Sequence, residues 1–149
     1  MIRVQRKVFN MGDELDKLTS GRTDIGAVVT FTGLVRDYND GADVTSLTLE
    51  HYPGMTEREL EKIEQEALSR WDLQASLIIH RYGEMALGEP IVLVITASAH
   101  RQHAFEAAAF LMDWLKTKAP FWKLETDRNG KADWVSERQM DVDATKKWD

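Results

Sequence analysis

The seven residues from Ile91 to Ala97 form an uncharged run that is apolar except for Thr96, and they constrain the fold of the chain most strongly. A strand that carries no charge on either side is typical of a position covered on both faces. We therefore predict that this run is the central strand of a sheet. The next segment, from about His100 to Lys118, is apolar almost all round, which predicts a helix packed between other elements. Pro120 ends that helix.

Two more helices are predicted from capping and hydrophobic patterns. Asn10 is a plausible N-cap for a short helix that ends at Gly21. The sequence Thr56-Glu57-Arg58-Glu59 resembles a capping box, with Thr56 as the cap of a helix that runs to about Trp71.

The remaining segments predict strands joined by turns. In the strand expected over residues 24–36, Gly26 and Gly33 indicate a bulge or the close approach of another group. Asn39-Asp40-Gly41 indicates a turn in a polar loop over residues 37–43, a candidate lid. Further strands are expected over residues 2–9, 44–52, 74–82, 122–125 and 134–135, and a turn over residues 83–90. Strands and helices alternate irregularly, which favours an α+β fold in a single domain of residues 1–149, with residues 137–149 unassigned.

Charge and composition exclude several classes of function. The formal net charge of −6 argues against sequence-independent binding to nucleic acid. No apolar run is long enough to span a bilayer, and charged residues stand where a signal peptide would need apolar ones, so we expect a cytoplasmic protein without a membrane partner. Cysteine is absent, which excludes disulfides, thiolate metal sites and a cysteine nucleophile. Any sulfur chemistry must therefore be supplied by a partner or a substrate.

The four histidines do not form a metal-binding pattern. His100 and His103 have helical i,i+3 spacing but lack the glutamate of the His-Glu-x-x-His zinc motif. His51 and His80 are interpreted as buried, hydrogen-bonded strand residues. We expect neither a metal nor a cofactor.

A cluster of three lysines surrounds Pro120. Lys116 and Lys118 end the predicted helix, where cations complement the helix dipole, so capping explains them without a function. Lys123 is harder to explain in this way, because Phe121 and Trp122 place its charge beside aromatic surface. Clustered ammonium groups also disfavour one another's protonation, so one lysine could serve in acid-base or covalent chemistry.

A second set of cations consists of Arg36, His100 and Arg101. The last two are either solvent-facing residues of the first helical turn or part of an anion site at the helix N-terminus. A helix from residue 100 to residue 116 is about 24 Å long, so its two ends cannot share a site within one chain. A second subunit packed antiparallel would bring them together, which hints at a dimer.

These residues support a local cationic site for an anionic ligand or a partner's tail, but they do not name a reaction. Two alternatives stay open. One is a non-catalytic binding module that captures an acidic partner tail. The other is a phosphate-binding enzyme of different chemistry, such as an isomerase with a perturbed lysine.

Five motifs, in order, resemble the large, catalytic subunit of molybdopterin synthase. They cover about residues 24–125 and consist of Gly26 to Arg36, Leu47 to Met55, His80 to Glu84, Ser98 to Arg101 with Ala104-Phe105, and Lys116 to Lys123.

The resemblance implies a fold, a reaction and partners. The implied fold is an α/β hammerhead with a small additional β-rich subdomain. The implied reaction transfers sulfur from the C-terminal Gly-Gly thiocarboxylate of a small ubiquitin-like carrier subunit to cyclic pyranopterin monophosphate, which forms the dithiolene of molybdopterin. The implied assembly is a heterotetramer built on a central homodimer of large subunits.

The resemblance also implies roles for individual residues. Lys116 and Lys123 match the catalytic lysines beside the inserted carrier tail. Phe121, Trp122 and the auxiliary Lys118 are expected along the tail channel. Arg36, His100 and Arg101 are expected to hold the phosphate of the pterin.

Overall fold

The computed structural model describes residues 1–39, 42–135 and 139–149. Its framework consists of two β-sheets. The first has the strand order β1 (Ile2–Gln5), β5 (Ala75–Arg81), β7 (Pro90–Ser98) and β2 (Ala27–Leu34). Its β1–β5 pair is parallel, whereas β5–β7 and β2–β7 are antiparallel. The second sheet contains β3 (Tyr38–Asn39), β4 (Ala42–His51), β8 (Phe121–Asp127) and β9 (Ala132–Val135), and β6 (Gly83–Ala86) also pairs with β4.

The predicted central strand is confirmed, because β7 lies between β5 and β2 and its residues 92–98 are buried. Its side chains alternate between two cores. Val92 and Val94 pack in one core with helices α2 (Met55–Arg70) and α3 (Arg101–Thr117). Leu93 and Ile95 pack in the other, against Phe9 and helix α1 (Met11–Thr19). The mixed α+β architecture is therefore as predicted.

The helix starts agree only in part with the prediction. The Asn10 cap is confirmed, since its side-chain oxygen accepts a hydrogen bond from the Asp13 amide at 3.0 Å. The capping box at Thr56 is wrong: α2 begins at Met55, and Glu57 accepts a 2.6 Å hydrogen bond from the Gly54 amide. Gly54 has φ +85°, which lets the chain enter the helix two residues earlier than predicted.

Helix α3 is packed on one side and open on the other. Ala104, Ala107 and Leu111 are fully buried, but Phe105 is 60% exposed. The expectation that this helix is covered all round is therefore wrong for the face that carries Phe105.

The C-terminal segment forms helix α4 (Gln139–Lys146), which packs on α3. The indole of Trp148 donates to the Asp113 carboxylate at 2.6 Å, and the hydroxyls of Thr117 and Thr145 lie 2.9 Å apart. These contacts place the end of the chain beside the C-terminal end of α3.

The predictions for Gly26, just before β2, and for Gly33 within it are both confirmed. A Cβ at Gly26 would lie 2.2 Å from the carbonyl oxygen of Ala99, so no larger residue fits. The β2–β7 register shifts between Gly33 and Leu34.

Two predicted connections are strands instead. Tyr38 and Asn39 pair with Asp43 and Ala42, so the polar loop is partly a hairpin, and its residues 40 and 41 lie outside the described residues. The predicted turn over residues 83–90 begins with strand β6, because Gly83–Ala86 finds a partner in β4. Among the described residues, no helix is long and apolar enough to cross a membrane.

Candidate functional site

A cavity of about 470 Å³ lies where the C-terminal end of α3 meets the second sheet. Strands from both sheets and the helix contribute to its wall. Its described lining residues are Gly33, Leu34, Val35, Arg36, Val44, Leu47, Leu49, His80, Ile91, Val92, Met112, Leu115, Lys116, Thr117, Ala119, Phe121, Trp122, Lys123, Glu125 and Asp141. We call this space the lysine cavity. Its lining combines apolar side chains with the charged groups of Arg36, Lys116, Lys123, Glu125 and Asp141.

Lys116 and Lys123 come together because the chain reverses between them. Helix α3 ends at Thr117, the Phe121 amide donates to the Ala119 carbonyl at 2.8 Å, and β8 starts immediately afterwards. Lys116 is exposed on the last helical turn, whereas Lys123 is half-buried on the strand. The predicted lysine pair therefore shares one cavity.

The pKa of Lys123 is lowered to about 8. Burial is the largest cause, because it penalises the charged ammonium, and the positive charge of Lys116 adds to it. The carboxylates of Asp141 and Glu125 act in the opposite direction and favour the ammonium. Near neutral pH, Lys123 can therefore both give and take a proton.

Aromatic rings form the wall beside the lysines. Phe121 lies on the same side of β8 as Lys123, because side chains two residues apart on a strand share a face. Its ring stacks on His80, with centroids 3.8 Å apart and planes inclined by 16°. Trp122 also lines the cavity and contacts the ring of Tyr52, with centroids 4.8 Å apart. Both predicted channel aromatics are thus at this cavity.

The three residues predicted to hold the phosphate lie in two places. Arg36 is exposed just after β2 and lines the lysine cavity. His100 and Arg101 are exposed at the N-terminal end of α3, and the described residues that line the cavity include nothing from that end. At 1.5 Å per residue, Arg101 and Lys116 are separated by about 22 Å along the helix. In one chain the two predicted halves of the site therefore lie apart.

Lys118 faces away from the other two lysines. It lines a second cavity of about 310 Å³ between α2, α3 and α4, with Trp114 and Trp148 among its neighbours. A residue two positions after Lys116 points to roughly the opposite side of a helix, which accounts for this placement. Its predicted place along the tail channel is not the place that it occupies in one chain.

Three residues of the lysine cavity were missed as site residues. His80 was interpreted as a buried strand residue, and it is buried, but its ring also lines the cavity. Glu125 follows Lys123 on the same face of β8, and that alternation was the available signal. Asp141 lies in the C-terminal segment that the sequence pattern did not assign, so no signal pointed to it.

Metal-binding geometry is not found in the described part of the chain, where no three or more His, Asp or Glu side chains are placed to hold an ion. The charged lining of the lysine cavity is instead suited to an anion, since Lys116 and Arg36 offer N–H donors and positive charge. The lowered pKa of Lys123 adds a group that can transfer protons at the same place.

Known proteins of one family resemble the chain along its length. A family model described as "MoaE protein" matches residues 4–118. A protein of Mesorhizobium japonicum named molybdopterin synthase catalytic subunit is 53% identical over 148 residues, which cover 99% of this chain and 92% of the relative. A protein of the same name from Pseudomonas aeruginosa is 53% identical over 148 residues, which cover 99% of this chain and 98% of the relative.

A solved structure is similar as well. The molybdopterin biosynthesis MoaE protein from Burkholderia ambifaria matches with a TM-score of 0.83 and 43% identity, over 99% of this chain and 97% of that one.

Proposed function

The chain belongs to the MoaE family, and from that premise we propose that its lysine cavity is the sulfur-transfer site of a molybdopterin synthase. The chain is the enzyme's catalytic subunit. It transfers sulfur from the C-terminal thiocarboxylate of a small ubiquitin-like carrier subunit to cyclic pyranopterin monophosphate, and so builds the dithiolene of molybdopterin. The observation that carries the site assignment is the pairing of Lys116 with a Lys123 whose pKa is about 8.

The two lysines have different environments and therefore different roles. Lys116 is exposed and sits at the cavity wall, where its ammonium can pair with the negative charge of the carrier's thiocarboxylate. Lys123 is half-buried and close to its pKa at neutral pH, so it acts as the acid-base group at the substrate carbon that receives sulfur. The carrier's sulfur bonds to that carbon while the bond from the carbon to an oxygen substituent breaks, and Lys123 gives a proton to the departing oxygen. The acyl group of the tail stays on the sulfur as a thioester. Hydrolysis of the acyl carbon–sulfur bond then releases the tail as a carboxylate and leaves the sulfur on the pterin. A second transfer from another thiocarboxylate supplies the second sulfur of the dithiolene.

The aromatic wall keeps the tail in place during this step. Phe121 and Trp122 line the channel next to Lys123 and keep bulk water away from the thiocarboxylate until the bond between sulfur and the substrate carbon has formed. Sulfur is supplied by the carrier, which agrees with a catalytic chain that contains no cysteine.

The pterin phosphate is held by cations from two subunits. Arg36 lies at the lysine cavity, whereas His100 and Arg101 lie at the far end of α3, so these two reach a cavity only if they belong to a second copy. Exposed apolar side chains are available on two neighbouring elements: edge strand β2 exposes Phe31 and Leu34 to 40% and 53%, and α3, which packs beside β2, exposes Phe105 to 60%. We call these three residues the apolar patch. A dimer formed through this patch is the centre of the proposed heterotetramer.

We place the enzyme in the cytoplasm.

The proposed reaction is tested by mixing the protein with thiocarboxylated carrier and cyclic pyranopterin monophosphate and measuring the dithiolene product. Product that requires all three components supports the proposal. Tight carrier binding without any product would contradict it and would favour the non-catalytic binding module. Failure to bind the carrier would instead favour a phosphate-binding enzyme of other chemistry.

A further inference from the structure

The ring of His80 is part of the wall of the lysine cavity and supports the neighbouring ring of Phe121. His80 is the next to last residue of β5, and it is 7% exposed. It lies almost parallel to the ring of Phe121, with centroids 3.8 Å apart and an angle of 16° between the planes. A flat contact of this kind restricts the plane in which the Phe121 ring can lie.

His80 is itself fixed to the first sheet. Its Nδ1 donates to the carbonyl oxygen of Arg81 at 2.9 Å. Arg81 is buried, and its guanidinium donates to the carbonyl oxygens of Arg6 and Pro90 at distances between 2.8 and 3.0 Å. The imidazole therefore has little freedom to turn, and it transfers this rigidity to Phe121.

The ring is also uncharged at working pH. Burial lowers the pKa of His80 to about 4 and outweighs the hydrogen bond to the Arg81 carbonyl, which raises it, while the nearby charges of Lys123, Lys116 and His51 lower it further. A neutral ring supports Phe121 without a third positive charge beside the two lysines. An arginine or a lysine at position 80 would instead add a positive charge beside Lys116 and Lys123.

Phe121 links this support to the reacting groups. It shares a face of β8 with Lys123, and its other imidazole neighbour is His51, at 5.8 Å between centroids. A shift of the Phe121 ring would therefore change the shape of the channel beside Lys123.

We propose that His80 is a positioning residue, which by stacking on Phe121 fixes the wall against which the carrier's C-terminal tail lies. This inference rests on the proposed function, because it takes the carrier tail as the occupant of the lysine cavity. His80 acts on the tail through Phe121 and does not contact the reacting atoms.

The test is a double-mutant cycle between His80 and the tail. Calorimetric titration gives the affinity of the wild type, His80→Leu and His80→Phe for the full-length carrier and for a carrier without its C-terminal Gly-Gly. The wild type is expected to prefer the full-length carrier. His80→Leu should reduce that preference at least about five-fold, whereas His80→Phe, which retains a flat ring, should keep it within about two-fold.

Two results would overturn the proposal. One is an undiminished preference in His80→Leu, and the other is an equal loss in His80→Phe, since a flat ring would then be insufficient. If His80→Leu does not fold, Phe121→Leu removes the same contact and must show the same loss. A wild type that binds both carriers equally would contradict the insertion of the tail itself, and with it the proposed function.

Discussion

Lys116 and Lys123 lie on opposite sides of the chain reversal at Pro120, and the charge of Lys116 helps to lower the pKa of Lys123 to about 8. Lys116→Met should raise that pKa, because it removes a like charge and so stabilises the ammonium. The pKa should stay below the ordinary 10.5, since burial is the larger cause. Carbon-13 NMR of labelled lysine side chains measures it directly. Lys118→Met is the matched control, and an unchanged Lys123 pKa in Lys116→Met would show that the two amines do not interact.

The buried His80 should make the fold sensitive to acid. Its folded-state pKa is about 4 and its ordinary value is 6.5, so the unfolded chain binds the proton first as the pH falls. Above pH 6.5 His80 is neutral in both states, so it does not change the free energy of unfolding. Between pH 6.5 and pH 4 protonation of the unfolded chain progressively lowers that free energy. From these values, acidification to pH 5.5 should cost about 1 kcal/mol through His80.

Urea unfolding at pH 7.5 and pH 5.5 measures this loss. His80→Phe has no group to titrate, so its loss of stability over the same range should be smaller than that of the wild type by about 1 kcal/mol. Equal losses in the two proteins would show that His80 is not the responsible group.

Gly26 is required where β2 approaches the start of α3. Gly26→Ala would place a Cβ 2.2 Å from the Ala99 carbonyl oxygen, so the backbone before His100 must shift. We expect a loss of about 2 kcal/mol or more in the free energy of unfolding. Gly12→Ala is the matched control, because Gly12 lies in the first turn of α1 and its Cβ would lie 3.4 Å from the Asn10 side-chain oxygen, an ordinary contact. That change should be neutral or stabilising by about 1 kcal/mol.

The shared phosphate site predicts complementation between inactive subunits. Lys123 lies in the lysine cavity at the C-terminal end of α3 and Arg101 lies at the other end of that helix, so a mixed dimer of Lys123→Ala and Arg101→Ala retains one site with every wild-type residue. Unfolding the two variants together and refolding them should restore about a quarter of the wild-type activity, because half of the dimers are mixed and each has one intact site.

The control for complementation mixes Lys123→Ala with Lys116→Ala. Both residues belong to one cavity, so no mixed dimer has an intact site and no activity should return. Recovery in the control alone, or in neither mixture, would contradict a site built from two subunits.

Local sequence patterns predicted most of the strands and helices, and they predicted Lys116 and Lys123 among the residues of the lysine cavity. The apolar run at Ile91 predicted the central strand, and the length of α3 predicted that Arg101 and Lys116 lie apart. The opposite orientation of Lys118 could have been predicted from its i,i+2 position relative to Lys116. The contact between His80 and Phe121 could not, because it depends on how the end of one sheet meets a strand of the other. Asp141 was missed for a similar reason, since its helix is placed by contacts with α3 and has only a weak pattern of its own.

The most direct test of the account is single-turnover formation of dithiolene by Lys123→Ala, Lys116→Ala and Lys118→Ala. With saturating thiocarboxylated carrier and pterin, Lys123→Ala should lower the rate at least about 100-fold, the usual contribution of an acid-base group. Lys116→Ala should also be severely impaired, and Lys118→Ala should stay close to the wild type. Wild-type rates in both Lys123→Ala and Lys116→Ala would contradict the assignment of the lysine cavity as the sulfur-transfer site.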